Sequence, residues 1–141
     1  MFDLKNGLKA VRVISPVAIG TTGTGQVGKI VDRKGYIGPV LFAVEYGTVT
    51  ATTAVYTTIV KEGDVTGTMT SVADVDLIGT EAGAGVGATG TRVSGTSKNC
   101  VKTIGYKGGK RYCNITVKST TTATTPIAAT AFLDPASKPA A

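Results

Sequence analysis

The chain contains no histidine and no tryptophan, and only two cysteines, five leucines and nine acidic residues among its 141 positions. Each shortage removes a class of activity. Without imidazole there is no base for a Ser or Cys nucleophile, no His-ligated zinc and no histidine pH switch. Two thiols cannot build a four-thiolate metal site. The acids are scattered, and the pair Asp74 and Asp76 reads as a solvated turn rather than a carboxylate metal site or an acid/base couple. No enzymatic activity, cofactor or metal is therefore expected. No apolar run approaches the ~20 residues of a membrane span, and Met1 to Ile14 carries Asp3, Lys5, Lys9 and Arg12 where a secretion signal would be apolar. Cytoplasmic synthesis with no membrane partner follows as an expectation, and Asn114-Ile115-Thr116 reads as a polar strand segment rather than a glycosylation acceptor.

What the chain does have is 19 Gly, 24 Thr, 17 Val and 9 Ile. β-branched side chains lose rotamer freedom in a helix and pack well on a pleated surface, so this excess over leucine predicts an all-β protein. The length suits a single domain that buries roughly two thirds of its unfolded surface without metals or disulfides.

Leu8 to Ile14 alternates imperfectly and reads as a strand ending at Ser15-Pro16, with Val17 to Gly20 as an edge piece. Val27 to Asp32 is a second strand, closed by the turn Arg33-Lys34-Gly35. Ile37 to Tyr46 is the most apolar stretch, with Val40, Phe42, Val44 and Tyr46 on one face and Leu41, Ala43 and Glu45 on the other, and it is expected in the middle of a sheet. Val55 to Lys61 is another strand, closed by Gly63-Asp64, while Thr68 to Ile78 fits either a short helix or a bent strand. Gly79 to Gly95 and Thr120 to Thr125 read as loops, and Pro126 to Leu133 as the last strand. With no βαβ alternation, the pattern predicts an antiparallel β-sandwich, jelly-roll-like, of seven to eight strands. One domain would span residues 1–133 with an N-terminal arm over 1–7, leaving 134–141 as a tail.

Cys100 to Tyr106 and Arg111 to Lys118 flank Lys107-Gly108-Gly109-Lys110, which predicts a β-hairpin because a central Gly-Gly supplies the positive φ of a primed turn. In that register Cys100 and Cys113 lie four residues apart along the ladder, about 13 Å and beyond disulfide reach. Gly23-Thr24-Gly25-Gln26-Val27-Gly28-Lys29-Ile30 looks like a phosphate-binding loop. The residues after it read as a strand and turn rather than the helix that phosphate binding needs, so nucleotide binding is not expected.

The formal charge of +6 is uneven. Residues 1–91 carry seven basic and eight acidic groups, and residues 92–141 carry eight basic groups and Asp134 alone. Such a stripe can attract an acidic surface. Only Tyr106 and Tyr112 offer stacking there, so nucleic acid is not an expected partner.

The run Ile104-Gly105-Tyr106-Lys107-Gly108-Gly109-Lys110-Arg111-Tyr112, with the Thr-rich loop and a final strand ending Leu133-Asp134-Pro135, resembles a family of small all-β proteins of tailed phages. They are the head cement or decoration proteins, encoded beside the major capsid protein. The strand from Tyr36 to Gly47 and the Thr-rich stretch after it carry a second part of the likeness. The resemblance implies a non-enzymatic protein of the virion surface that binds the outside of the capsid and cements adjacent major capsid subunits. Candidate interface residues are Tyr106, Lys107, Lys110, Arg111 and Tyr112 of the hairpin, where the bland alternatives are cross-strand packing for the tyrosines and a solvated turn for the bases. Phe2 and Leu4 join them as apolar residues with no local strand to bury them. Other functions left open are a tail or head-to-tail connector and a carbohydrate-binding or adhesion module, the latter poorly served by five Tyr and no Trp. Unpaired sheet edges predict a homo-oligomer, a two-fold dimer favoured over a trimer.

Overall fold

A computed structural model describes residues 3–19, 25–49, 54–87, 99–120 and 125–135. One turn of helix, α1 (Leu4–Gly7), is capped by the Asp3 carboxylate, which accepts from the Lys5 amide at 3.0 Å and the Asn6 side chain at 2.5 Å. The rest is strand: β1 (Lys9–Ile19), β2 (Gln26–Val27), β3 (Val31–Asp32), β4 (Tyr36–Tyr46), β5 (Tyr56–Val65), β6 (Thr68–Ser71), β7 (Leu77–Ile78), β8 (Cys100–Tyr106), β9 (Tyr112–Ser119) and β10 (Thr125–Pro135), with a 3-10 turn over Asp74–Asp76. Among the described residues no helix is long and apolar enough to cross a membrane.

Two antiparallel sheets result. One runs β1-β10-β4-β8-β7, and the other runs β2-β9-β5-β6 with β3 also on β9. Taking β2 and β3 as one interrupted strand and β7 as an edge addition, the orders β1-β10-β4-β8 and β2/β3-β9-β5-β6 are jelly-roll connectivity. Only the β5–β6 hairpin keeps consecutive strands of this set in one sheet. The predicted all-β sandwich is therefore observed.

The core lies between the sheets and follows the period of two in the strands. Val40, Phe42, Val44 and Tyr46 of β4 face inward beside Ile104 and Tyr106 of β8 and Ala129, Ala131 and Leu133 of β10. Across from them stand Tyr56 and Val60 of β5 and Cys113, Ile115 and Val117 of β9. Two buried tyrosines tie the layers. Tyr46 of the first sheet bonds Thr58 of the second at 3.2 Å, and Tyr56 of the second bonds Thr125 of the first at 2.6 Å. Their rings meet edge to face at 5.9 Å.

Several local expectations change. The hairpin over 100–118 does not form: β8 pairs with β4 and β7, whereas β9 pairs with β2, β3 and β5, so residues 107–111 cross from one sheet to the other. A jelly roll sends neighbouring strands to opposite layers, and this overrides a turn sequence suited to a hairpin. Cys100 opposite Tyr46 and Cys113 opposite Glu62 thus lie in different sheets, and both are free thiols. Burial pushes the Cys113 thiol up to about 12. The first strand runs through Pro16 as the edge strand β1, absorbing it at register shifts between Arg12 and Ile14 and between Ile14 and Val17. Residues 68–78 form a strand, a 3-10 turn and a second short strand, combining the two alternatives.

The stretch 79–87 of the predicted long loop is packed, with Ala84 and Val86 buried and Glu81 accepting from the Val60 amide at 3.0 Å; residues 88–95 lie outside the described residues. The expected tail begins later, because Asp134 and Pro135 belong to β10, and residues 3–7 of the expected arm include α1. Gly28, within the phosphate-loop lookalike, donates to Ile115 O at 2.8 Å, and a side chain there would meet Val13 at 2.7 Å, so it serves close packing between β1 and β9. No helix follows it.

Candidate protein interface

Three chain segments converge at one end of the sandwich: the turn after β3, the end of β5, and the crossing over 107–111. Arg33 gathers them. Its guanidinium donates to the carbonyls of Gly108 at 2.6 Å, Lys110 at 2.7 Å and Gly38 at 3.3 Å, and lies 4.9 Å over the Tyr106 ring. Tyr106 is fully buried; its hydroxyl donates to Glu62 and accepts from the Lys110 amide at 3.1 Å. Burial first, and then the Glu62 carboxylate, raise the pKa of that phenol well above its usual value. Tyr106 is accordingly a core residue that presents no surface to a partner.

Two of the three bases of the crossing are paired. Lys110 reaches Asp64 at 2.7 Å, and Arg111 forks onto Asp32 with two bonds of 2.9 Å while lying 4.9 Å over the half-buried Tyr112 ring. Two of the eight basic groups of residues 92–141 are therefore met here by acids from the first two thirds of the chain. A charge imbalance between stretches of sequence does not become a basic patch when the fold interleaves them. Lys107 is exposed, with its amide on Asp76 O at 2.9 Å. Leu4 is exposed on α1, while Phe2 lies outside the described residues. By register, the start of β1, the end of β10, the start of β4 and the end of β8 share this end of the first sheet, so Leu4 and the crossing sit at the same end.

The bond from Arg111, followed by the Lys34 amide, holds Asp32 down to about 2, and Lys110 lowers Asp64. A carboxylate with a depressed folded pKa contributes stability that is present above its unfolded pKa and disappears as pH falls through the folded one. For Asp32 that window runs from about pH 4 down to about pH 2. Asp32→Asn is expected to flatten the acid limb of a stability-against-pH curve in that window, measured by urea unfolding. A limb as steep as in the wild type would place the titrating groups elsewhere.

Sequence reasoning passed over a second surface. The outer face of the β1-β10-β4-β8-β7 sheet carries Ala10 and Arg12, Pro126, Ala128, Thr130 and Phe132, Leu41, Ala43 and Glu45, Val101 and Thr103, and Ile78. A solvated face of an antiparallel sheet normally alternates to polar residues, yet the charged residues in this set are Arg12 and Glu45, with Lys5 at its rim. Gly105 leaves room for Ile78, whose Cβ would stand 2.9 Å from a side chain placed there. Two shallow grooves mark the β1–β10 half: one of about 410 Å³ lined by Leu4, Lys5, Leu8, Ala10 and Phe132, and one of about 280 Å³ between Pro16, Glu45, Gly47, Pro126 and Ala128. The legible signal was in β4, where Leu41 and Ala43 make the second face nearly as apolar as the first. Among the described residues no three metal-binding side chains stand together.

No known protein family matches the chain, and no curated protein does. Among solved structures it is similar to the SPBc2 prophage-derived protein YomS, at 10% identity and a TM-score of 0.51 over 89% of this chain and 91% of that one. It is also similar to Eiger TNF from S. frugiperda, at 9% identity and a TM-score of 0.37 over 96% and 91% of the two chains. The likeness to YomS is one of fold.

Proposed function

We propose that this chain is a non-enzymatic structural protein of a tailed-phage particle, a cement protein that binds the outside of the head and bridges adjacent major capsid subunits. The observation that carries this reading is the convergence of the exposed candidates Leu4, Lys107, Lys110 and Arg111 at one end of the sandwich, the three bases on a crossing braced by Arg33. That end offers a rigid set of charged groups of both signs, suited to a polar protein surface. The hairpin-region motif and the prophage origin of a protein of similar fold support the same reading.

Purified protein mixed with expanded heads that lack it is expected to bind saturably and near-stoichiometrically and to raise the temperature of genome release. Absence of binding would overturn the proposal. Occupancy of about a dozen copies or fewer per particle would instead make the chain a connector. Changing Lys107, Lys110 and Arg111 together to Ser leaves Asp32 and Asp64 unpaired and turns this end acidic. Weaker attachment with an altered salt dependence is expected. Unchanged attachment would remove this end from the contact.

A further inference from the structure

Self-association through sheet edges, the route the sequence suggested, is poorly served by this fold. The edge strands β2, β3 and β7 have two residues each and β6 has four, while β1 is interrupted by Pro16 and its register shifts. The outer face of the five-stranded sheet offers a different route.

Its two halves are complementary in shape. On the β4-β8-β7 half, Leu41, Val101 and Ile78 project and remain 43%, 61% and 49% exposed. On the β1-β10 half, small or proline side chains at Ala10, Pro16, Pro126 and Ala128 leave the two grooves described above. The projections and grooves also share rows of the sheet. Leu41 lies in register with Phe132, and Phe132 with Ala10, while Val101 is in register with Glu45, and Glu45 with Ala128. The face carries charge of both signs: Arg12 stands on β1, and Glu45 of β4 lines the groove beside Ala128. Arg12 and Glu45 can each meet the opposite charge on a copy of that face, where Lys5 also borders the groove beside Leu4. A partner of strong net charge would leave one of them facing its own sign.

At strand spacings of ~4.8 Å and ~3.3 Å per residue, the face measures on the order of 20 by 30 Å, or ~600 Å² in projection, close to the ~800 Å² that each partner contributes to a standard interface. We propose that a second copy of this chain packs on the outer face of the β1-β10-β4-β8-β7 sheet, its Leu41, Val101 and Ile78 entering the grooves beside Ala10 and Ala128. Because each copy carries both halves, the contact can close as a two-fold pair or as a small ring. This goes beyond the capsid reading and is tested without any shell.

The experiment is mass in solution by light scattering at micromolar concentration. The wild-type chain is expected to run as two or three copies. Val101→Asp on the projecting half buries a carboxylate beside Glu45 of its own chain, and Ala128→Arg fills the groove with a long side chain, so each should reduce it to one copy. Both positions face solvent or lie half-buried on the outer sheet, and an unchanged circular dichroism spectrum checks that each variant folds. Val65→Asp, at a residue 63% exposed on β5 of the other sheet, should leave the mass unchanged. A wild-type mass of one chain at that concentration would overturn the proposal. Persistence of the oligomer in both variants would overturn it equally.

Discussion

Gly85→Ala is expected to lower the melting temperature by about 10 to 15 °C, a loss of about 3 to 5 kcal/mol. A methyl group at this position would lie 1.8 Å from the Tyr56 carbonyl oxygen and 2.7 Å from its carbon, so backbone must move. What moves is the bridge in which Tyr56 donates to Val86 O at 2.8 Å and Val86 to Tyr56 O at 3.0 Å. That bridge seats Ala84, whose carbonyl accepts from the Tyr46 hydroxyl at 2.9 Å and from Thr58 at 3.0 Å. Displacing it leaves the Tyr46 and Thr58 hydroxyls only each other, so one buried donor is short of an acceptor at about 1 to 3 kcal/mol, and the shifted bridge adds the rest. Gly109→Ala is the control, since nothing stands within 4 Å of the added carbon. Thermal unfolding followed by circular dichroism compares the two. A drop at position 85 no larger than at position 109 would mean that the 79–87 turn rebuilds around the methyl at little cost.

Arg33→Ala is expected to cost about 2 to 3 kcal/mol, because it strips the guanidinium donors from the Gly108 and Lys110 carbonyls and removes the cation from the Tyr106 ring. Arg33→Lys should recover little of this. An ammonium is a point donor and cannot span three carbonyls set by a planar fork. Urea unfolding gives the loss, and proteolysis within 107–111 gives its location. If lysine restores full stability, charge rather than fork geometry holds the crossing. Should the capsid reading hold, both variants weaken attachment as well, since Lys107, Lys110 and Arg111 ride on the segment that Arg33 fixes.

The central strand was legible because its signal is local. Alternation from Val40 to Tyr46 places one set of side chains inward whatever lies beside it, and β4 is in the middle of its sheet. The same holds for β10, whose apolar alternation begins after a threonine loop. The crossing at 107–111 was not legible, because Gly108-Gly109 satisfies a hairpin turn as well as an inter-sheet link. The choice depends on β4 and β5, which compete for β8 and β9 from 40 or more residues away. Arg33 was read only as part of a turn for a related reason: its acceptors lie 75 and 77 residues further on.

The candidate residues show the same division. Charge counts along the chain pointed to Lys110 and Arg111 as a basic tip, whereas Asp64 and Asp32 neutralise them across separations of 46 and 79 residues. Tyr106 and Tyr112 were equivalent in the sequence; the fold buries the first between the layers and leaves the second partly exposed.

By itself, the sequence determined that the chain is all-β, which strands are apolar enough for the core, and that histidine chemistry is absent, since these depend on residue types and their spacing over a few positions. Tertiary structure alone decided which strands share a sheet, which charges cancel, and which second faces remain apolar in the open. Those outcomes rest on pairings between segments far apart in the chain, and the free energy of such pairings is a property of both partners, so neither segment carries it alone.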